Sequence, residues 1–479
     1  MNKNVPISAG VAKREITEQG GRPVNDPLYA RVLVMDDRTK RIAIIAMDTV
    51  GIGGPFDLGD DFMDKLRARI VSELSIDPSG ILINATHTHT EGPMLCNQDA
   101  VLDRTFEAVK EACDNLRIVT VGSGMAMESS AIINRTLRLK DGTHQTVRQA
   151  HPCPQDEDVE SLGPVDPSIG ILRFDSEDAK PYAILYTYSC HPLLGVPDKA
   201  ITANFPGFAS KIIEDCTGCS AIFLQGTLGD VCEVLYKDVT QPMDSEPVGR
   251  LLGISTIKGA REIQTRSVSV NAITEKAELP LRVDIPARID DLKQKQEELL
   301  ESLGAMSLNF KTFLPLYIRH MMDPKHPSDY SYRYMQARDD RLHHLDAQNK
   351  ARIQKYLQNI CTMEKLCRIR SDMKTLEYHD KMIRDLGKQT VSCEIVGIRI
   401  GDFVMISSPA EMLVETGQIM KSSSPYRHTY VISPSNGYVH YGAPASYYDK
   451  GGYEVTECML APEWQKIYER VALDIIRRL

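Results

Sequence analysis

Aromatic side chains are scarce in this sequence. They make up 6% of its 479 residues and include one tryptophan, Trp464. No apolar run approaches the roughly 18 residues that a membrane-spanning helix needs. An excess of positive charge is also missing. Lys and Arg total 56 against 65 Asp and Glu, the formal net charge is -9, and the basic residues are scattered. That balance points away from nucleic acid and from anionic membranes as partners. The first residues, MNKNVPISAGVAKREIT, hold no apolar core of a secretory signal. The 11 cysteines are odd in number and lack framework spacing, as expected in a reducing compartment. These absences together predict a cytoplasmic protein. No repeat, low-complexity tract or phosphate-binding glycine loop is present.

What remains is an ordinary globular composition, 42% hydrophobic and 25% charged. The length favours two folding units, or one large unit with an insertion. Arg41–Asp48 is a continuous apolar run ending in an acid, and reads as a buried strand. Residues 60–75 place Phe62, Leu66, Ile70 and Leu74 at helical spacing, and Gly80–Thr86 is the next strand. A helix is expected at 103–117. Strands are expected at 169–174, 182–188, 220–225 and 267–271, with helices near 206–215 and 247–265. This alternation predicts an α/β fold, a mixed sheet flanked by helices. From 286 to 386 charged helix formers dominate, broken near Asp323-Pro324 and His326-Pro327. The expected organisation is an α/β domain over 1–285 and 387–479, interrupted by a helical insertion at 286–386 that serves as a lid or an oligomer contact. Strands return at Val391–Ile400 and Phe403–Ser407, and a last helix covers about 462–478.

Chemistry-bearing residues collect at strand ends. His87-Thr88-His89 follows the strand Gly80–Thr86, and in an extended chain both imidazoles point to one face. Both then approach one metal, or one binds while the other faces substrate. Tyr188-Ser189-Cys190-His191-Pro192 follows a second strand, where the proline holds His191 extended. Gly226-Thr227-Leu228-Gly229-Asp230-Val231-Cys232 follows a third; it reads as a tight turn or as a close backbone approach to a site. Glu411, in Ser408-Pro409-Ala410-Glu411, is expected in the first turn of a helix, where an acid also serves as a cap. Asn436–Tyr441 and Tyr447–Glu454 concentrate tyrosine and glycine. Asp48 either supports the site or caps a loop. Cys216-Thr217-Gly218-Cys219 has the spacing of a redox or zinc pair but no partner motif, and His343-His344 reads as a solvated face.

In order along the chain, these segments resemble the neutral (non-lysosomal) ceramidase family. Ala9–Thr17 resembles the opening of its catalytic domain. Ala85–His89 matches Ala-Thr-His-Thr-His, Ile133-Asn134-Arg135 matches Ile-Asn-Arg, and His191-Pro192 matches His-Pro. The stretch 229–231 matches Gly-Asp-Val, 409–411 Pro-x-Glu, 437–439 Gly-Tyr-Val and 453–454 Tyr-Glu. The resemblance implies Zn²⁺ held by His87, His191, Glu411 and Tyr438, with His89, Arg135 and Tyr453 around a substrate carbonyl. Zinc in such a set activates water for attack on an amide or ester carbonyl. His89 would pass a proton to the leaving group, and Arg135 and Tyr453 would donate to the developing oxyanion.

The chain departs from the family in four ways. Cys232 stands where the family carries serine, which admits a nucleophilic-cysteine reading. The helical segment 286–386 has no counterpart. The family's C-terminal β-sandwich and secretory signal are expected to be absent. These departures turn the expected substrate from lipid toward a small polar molecule, an amide or a lactone. A lipid amidase, or a binding protein that has lost catalysis, are the alternatives. The sequence leaves room for a homo-oligomer.

Overall fold

The computed structural model describes residues 6–18, 20–90, 92–147, 154, 156–233, 243–325, 336 and 343–479. It divides into two compact units. One comprises 1–146, 155–282 and 387–479; the other comprises 147–154 and 283–386.

The larger unit is built on an eight-stranded mixed sheet. From edge to edge its strands are Ser220–Gln225, Pro181–Tyr188, Ser168–Ser176, Arg117–Met127, Ile7–Glu15, Tyr29–Asp36, Arg41–Met47 and Ile81–Ala85. Neighbours pair antiparallel except at the two edges, where the outermost strand on each side is parallel to its neighbour. Beyond Arg41, the strand Arg41–Met47 is apolar because both faces of the sheet are covered. Ile42, Ile44 and Ala46 enter one core, while Ala43, Ile45 and Met47 enter another. The outer core is closed by helices Phe62–Leu74 and Gln98–Asp114 under one half of the sheet and by Asn204–Thr217 and Glu246–Arg261 under the other.

On the inner face lies a second sheet, ordered Val270–Pro280, Thr390–Ile400, Phe403–Ser407 and His428–Ile432. Ala272, Ile398, Met405 and Ile432 interdigitate with Leu33, Ile44, Leu172 and Leu224 of the first. The final helix, Trp464–Arg478, covers its far side. Ile475 packs where any side chain at Gly397 would stand, and the Tyr468 hydroxyl donates to the Ser407 carbonyl. The layers are therefore helix, sheet, sheet, helix, an α/β fold with a mixed-sheet core. The strand expected at 267–271 instead spans Val270–Pro280, because its exposed alternate residues Lys276 and Glu278 hide it from a search for apolar runs.

Two features position the site. The first sheet curls until its two outermost strands meet at their carboxyl ends, where the Gln225 amide donates to Asn84 Oδ1 at 2.8 Å. The chain leaving the second sheet then bridges that seam. Ser433 N donates to Gln225 O, Ala85 N to Pro434 O and Asn436 N to Ile83 O. Asn436 also accepts from Ile83 N and donates to Ile81 O through its side chain. Parallel strand ends from both sheets thus converge on one place, where sites in such folds collect.

The smaller unit contains helices Ile285–Ser302, Phe310–Met322 and His343–Leu386 among its described residues. Two small apolar clusters pin the 44-residue helix. Ile285 and Ile289 pack on Leu376, and Phe313 packs on Ile353 and Tyr356. The first break expected from sequence coincides with the end of Phe310–Met322; His326-Pro327 lies outside the described residues. Among the described residues, no helix is long and apolar enough to cross a membrane.

Candidate metal centre

The strand Ile81–Ala85 ends before His87, so the pleat does not align His87 with His89. His87 instead adopts a left-handed backbone, φ +62°, a conformation that costs a non-glycine residue free energy and clusters at functional sites. Its amide is tied to Thr49 O and the preceding one, of Thr86, to Met47 O. The following loop is clamped by Asn204, which donates from Nδ2 to Thr88 Oγ1 and to His89 O and accepts from Gly195 N. The outcome anticipated from an extended chain is met by other means: the His87 and His89 rings lie 4.7 Å apart between centroids.

His191 arrives from the strand Pro181–Tyr188. Its amide donates to Val231 O at 2.8 Å, which docks it on the strand Val231–Glu233. One ring nitrogen from each of His87, His89 and His191 falls within 4.8 Å of the others. Glu411 joins the same pair of imidazoles, its Oε2 lying 3.4 Å from His87 Nε2 and 3.8 Å from His191 Nε2. Its Oε1 accepts from the Tyr438 hydroxyl at 2.6 Å. Glu411 is not in a helical first turn. It sits in the two-residue strand Glu411–Met412, paired with Tyr441-Gly442, and the next helix begins at Val414. That placement removes the capping role and turns the carboxylate inward.

Hydrogen bonding fixes the tautomers. His87 Nδ1 lies 2.5 Å from Val50 O and His191 Nδ1 lies 3.2 Å from Leu228 O. Each Nδ1 therefore carries the hydrogen, since a carbonyl only accepts. With both imidazoles neutral, as metal ligands are, their Nε2 lone pairs face each other at 2.9 Å, with Glu411 Oε2 beside them. Three electron-rich atoms converge in a buried pocket, a repulsive arrangement that a cation relieves. Imidazoles oriented by backbone carbonyls are also the usual support of a metal site. The donor set, two imidazoles, a carboxylate and a phenol, fits zinc.

Electrostatics agree with that arrangement. Burial pushes the Glu411 carboxyl up, but positive charge at the His87 and His191 side, the charge a bound cation would supply, and the Tyr438 hydroxyl outweigh it and hold it well below the usual range. Burial, His87 and Arg135 keep His191 neutral, far below an ordinary imidazole. Tyr438 is pushed well up by burial and by the Glu411 charge.

Arg135 stands next to this centre, 1% exposed. Its Nε donates to Glu454 Oε1 at 2.9 Å, and its Nη2 donates to Gly229 O at 2.6 Å and to the Tyr441 hydroxyl at 3.0 Å. The guanidinium also lies over the Tyr453 ring, 5.7 Å from its centroid. Glu454 is completed by Thr146, whose hydroxyl donates to Oε2 at 2.5 Å and accepts from Tyr453 N at 3.0 Å. Asp230 is tied to neighbouring chain segments. It accepts from Asn134 Nδ2 and Val414 N, and burial raises its carboxyl to about 6.

The structure thus gathers His87, His89, His191, Glu411 and Tyr438, with Arg135 and Tyr453 alongside. The remaining candidates stand in structural settings. Asp48 is buried against Arg31 at 2.7 Å and accepts from Tyr29 N and Thr86 Oγ1. Cys216 is exposed while Cys219 is buried beyond the end of the helix Asn204–Thr217. Cys232 is buried in the short strand beside His191. His344 is exposed, and the His343 side chain lies outside the described residues.

Tyr441, Thr146 and Glu233 were not legible as site residues. Glu233 accepts from Leu193 N and Leu194 N, fixing the chain just after His191-Pro192. Its only sequence signal is an acid in an otherwise apolar strand end. Burial raises its carboxyl from 4.5 to about 8. Its protonated form is therefore favoured by folding: this contribution is complete below the unfolded value and is lost as pH rises through 8. Between those limits one group lowers stability by up to about 1.4 kcal/mol per pH unit. Glu233→Gln is expected to flatten the decline in denaturant midpoint between pH 5 and 8. A variant whose pH–stability curve parallels the parent's would refute the assignment.

No protein-family model matches the sequence, and no curated protein matches it. Solved structures do. A neutral ceramidase from Pseudomonas aeruginosa superposes with a TM-score of 0.62 at 16% identity, over 100% of this chain and 75% of that one. A ceramidase complexed with C2 gives 0.63 at 15% identity, over 99% and 76%. The helix–sheet–sheet–helix architecture that joins these histidines, this glutamate and this tyrosine is the fold of the neutral ceramidases.

Proposed function

We propose that this protein is a zinc-dependent hydrolase acting on the amide or ester carbonyl of a small polar substrate, such as a lactone. The carrying observation is the convergence of His87 Nε2, His191 Nε2 and Glu411 Oε2, with both Nδ1 atoms committed to backbone carbonyls. His87, His191, Glu411 and Tyr438 would hold the ion. When bound, zinc supplies a Lewis-acidic centre that makes water nucleophilic near neutral pH. Glu411 neutralises charge there and keeps Tyr438 oriented through their hydrogen bond. His89, beside both ligand imidazoles, moves the proton to the leaving group. Arg135 and the Tyr453 hydroxyl stabilise negative charge developing on the substrate oxygen. Arg135 suits this role because Glu454 and Tyr441 preorganise it.

The ceramidase fold keeps a lipid amide as the second reading. Metal analysis of the purified chain, followed by chelation and a panel of amides, lactones and dispersed ceramide, tests both. About one zinc per chain and chelator-sensitive turnover of a polar carbonyl are expected. Metal-free protein with undiminished turnover would sink the proposal; ceramide as the preferred substrate would replace the polar reading with the lipid one.

A further inference from the structure

The helix Phe310–Met322 is unusual in its exposed surface. One side packs inward through Phe313, Leu316 and Tyr317, with Phe313 stacked on Tyr356 at 4.3 Å. A second stripe points outward: Phe310 is 64% exposed, Met321 64% and Met322 82%, and Leu314 and Ile318 are also open. At 100° per residue these five fall on a single arc of the helix, which adjoins the packed side at Tyr317 and leads away from Phe313 and Leu316. A stripe of this size in a chain poor in aromatics calls for a partner.

Charge narrows the choice. The helix contains Lys311 and Arg319 and no acidic residue, in a chain whose net charge is -9. The whole-chain average conceals this local reversal. Lys311 projects from within the apolar arc, between Ile318 and Met322, and Arg319 lies beyond it; such long side chains lay their stems along apolar surface and keep the charge at the headgroups. Self-association would bring two sets of these cations into one interface with no carboxylate from either copy of the helix to offset them.

We propose that Phe310–Met322 docks the protein on a lipid surface carrying anionic headgroups, with Phe310, Leu314, Ile318 and Met321 entering the acyl boundary. The inference is independent of the metal-site reading, although surface docking would favour a lipid-borne substrate. The full chain should cosediment with vesicles of equal parts phosphatidylcholine and phosphatidylglycerol. It should do so poorly with phosphatidylcholine alone, and binding should weaken as salt is raised. Phe310→Asp and Met321→Asp should each lower the partition coefficient by roughly tenfold or more, losing the transfer of one buried apolar side chain. Both should keep the parent melting temperature, because the side chains are exposed. Failure to sediment with anionic vesicles would overturn the proposal, as would binding that neither substitution weakens. A parent oligomer that Phe310→Asp converts to monomer, without vesicle binding, would assign the stripe to a second copy of the chain instead.

Discussion

His87→Ala is expected to lose bound metal and turnover together, whereas His89→Ala is expected to keep the metal and lose turnover. The contrast follows from geometry. His87 Nε2 is held by the Nδ1 contact to Val50 O and aimed at the point shared with His191 and Glu411. His89 adjoins the same pair, but Glu411 and Tyr438 complete the set with His87 and His191. Loss of a general acid–base group typically lowers turnover about 10²–10⁴-fold, so residual activity in His89→Ala should be measurable. Alanine at 87 inherits the same left-handed backbone, so the local conformational cost is similar in parent and variant. Metal content by mass spectrometry and the rate on the best substrate from the panel decide. A His87→Ala chain retaining full metal removes His87 from the ligand set. A His89→Ala chain lacking metal makes His89 a ligand.

The second large effect concerns Arg135. Arg135→Met leaves Glu454 charged and buried without its guanidinium partner. Breaking such a pair typically costs about 3–5 kcal/mol, and thermal or denaturant unfolding should register it. The same variant should lose turnover, since one donor to a developing oxyanion is worth about 10²–10³ in rate. The two losses separate in the double variant Arg135→Met/Glu454→Met. Removing both charges should recover much of the stability, because no uncompensated carboxylate remains. It should not recover turnover if Arg135 acts on substrate. A double variant that regains both assigns Arg135 to holding Glu454 and the Tyr453 turn.

Arg41–Met47 was legible because two cores consume the alternate residues from Ile42 onward, leaving no polar position there to obscure the strand. Phe62–Leu74 was legible because one face only is buried, at helical spacing. Glu411 was misplaced because its strand exists only through pairing with Tyr441, a contact that nothing near Glu411 announces. His87 and His89 were rightly associated, but for a reason that does not hold here: the left-handed turn at His87, not the pleat, brings the rings together. Tyr441 and Thr146 join Arg135 and Glu454 only once chain segments 300 residues apart have met (Arg135 to Tyr441 spans 306). The seam that positions them all, Asn84 with Gln225 and Pro434, is likewise non-local.

That seam also sets an order of events. Asn436 is the clasp on Ile81 and Ile83, and it lies 353 residues from the amide it accepts. A nascent chain therefore possesses His87 and His191 long before it possesses Glu411, Tyr438 or the clasp that registers them. Contacts of such separation form slowly, since a large loop must close before they return any free energy. The two histidines must wait on an incomplete sheet edge until residues 411–438 have been synthesised, and the arrival of that segment is the step that commits the protein to its working form.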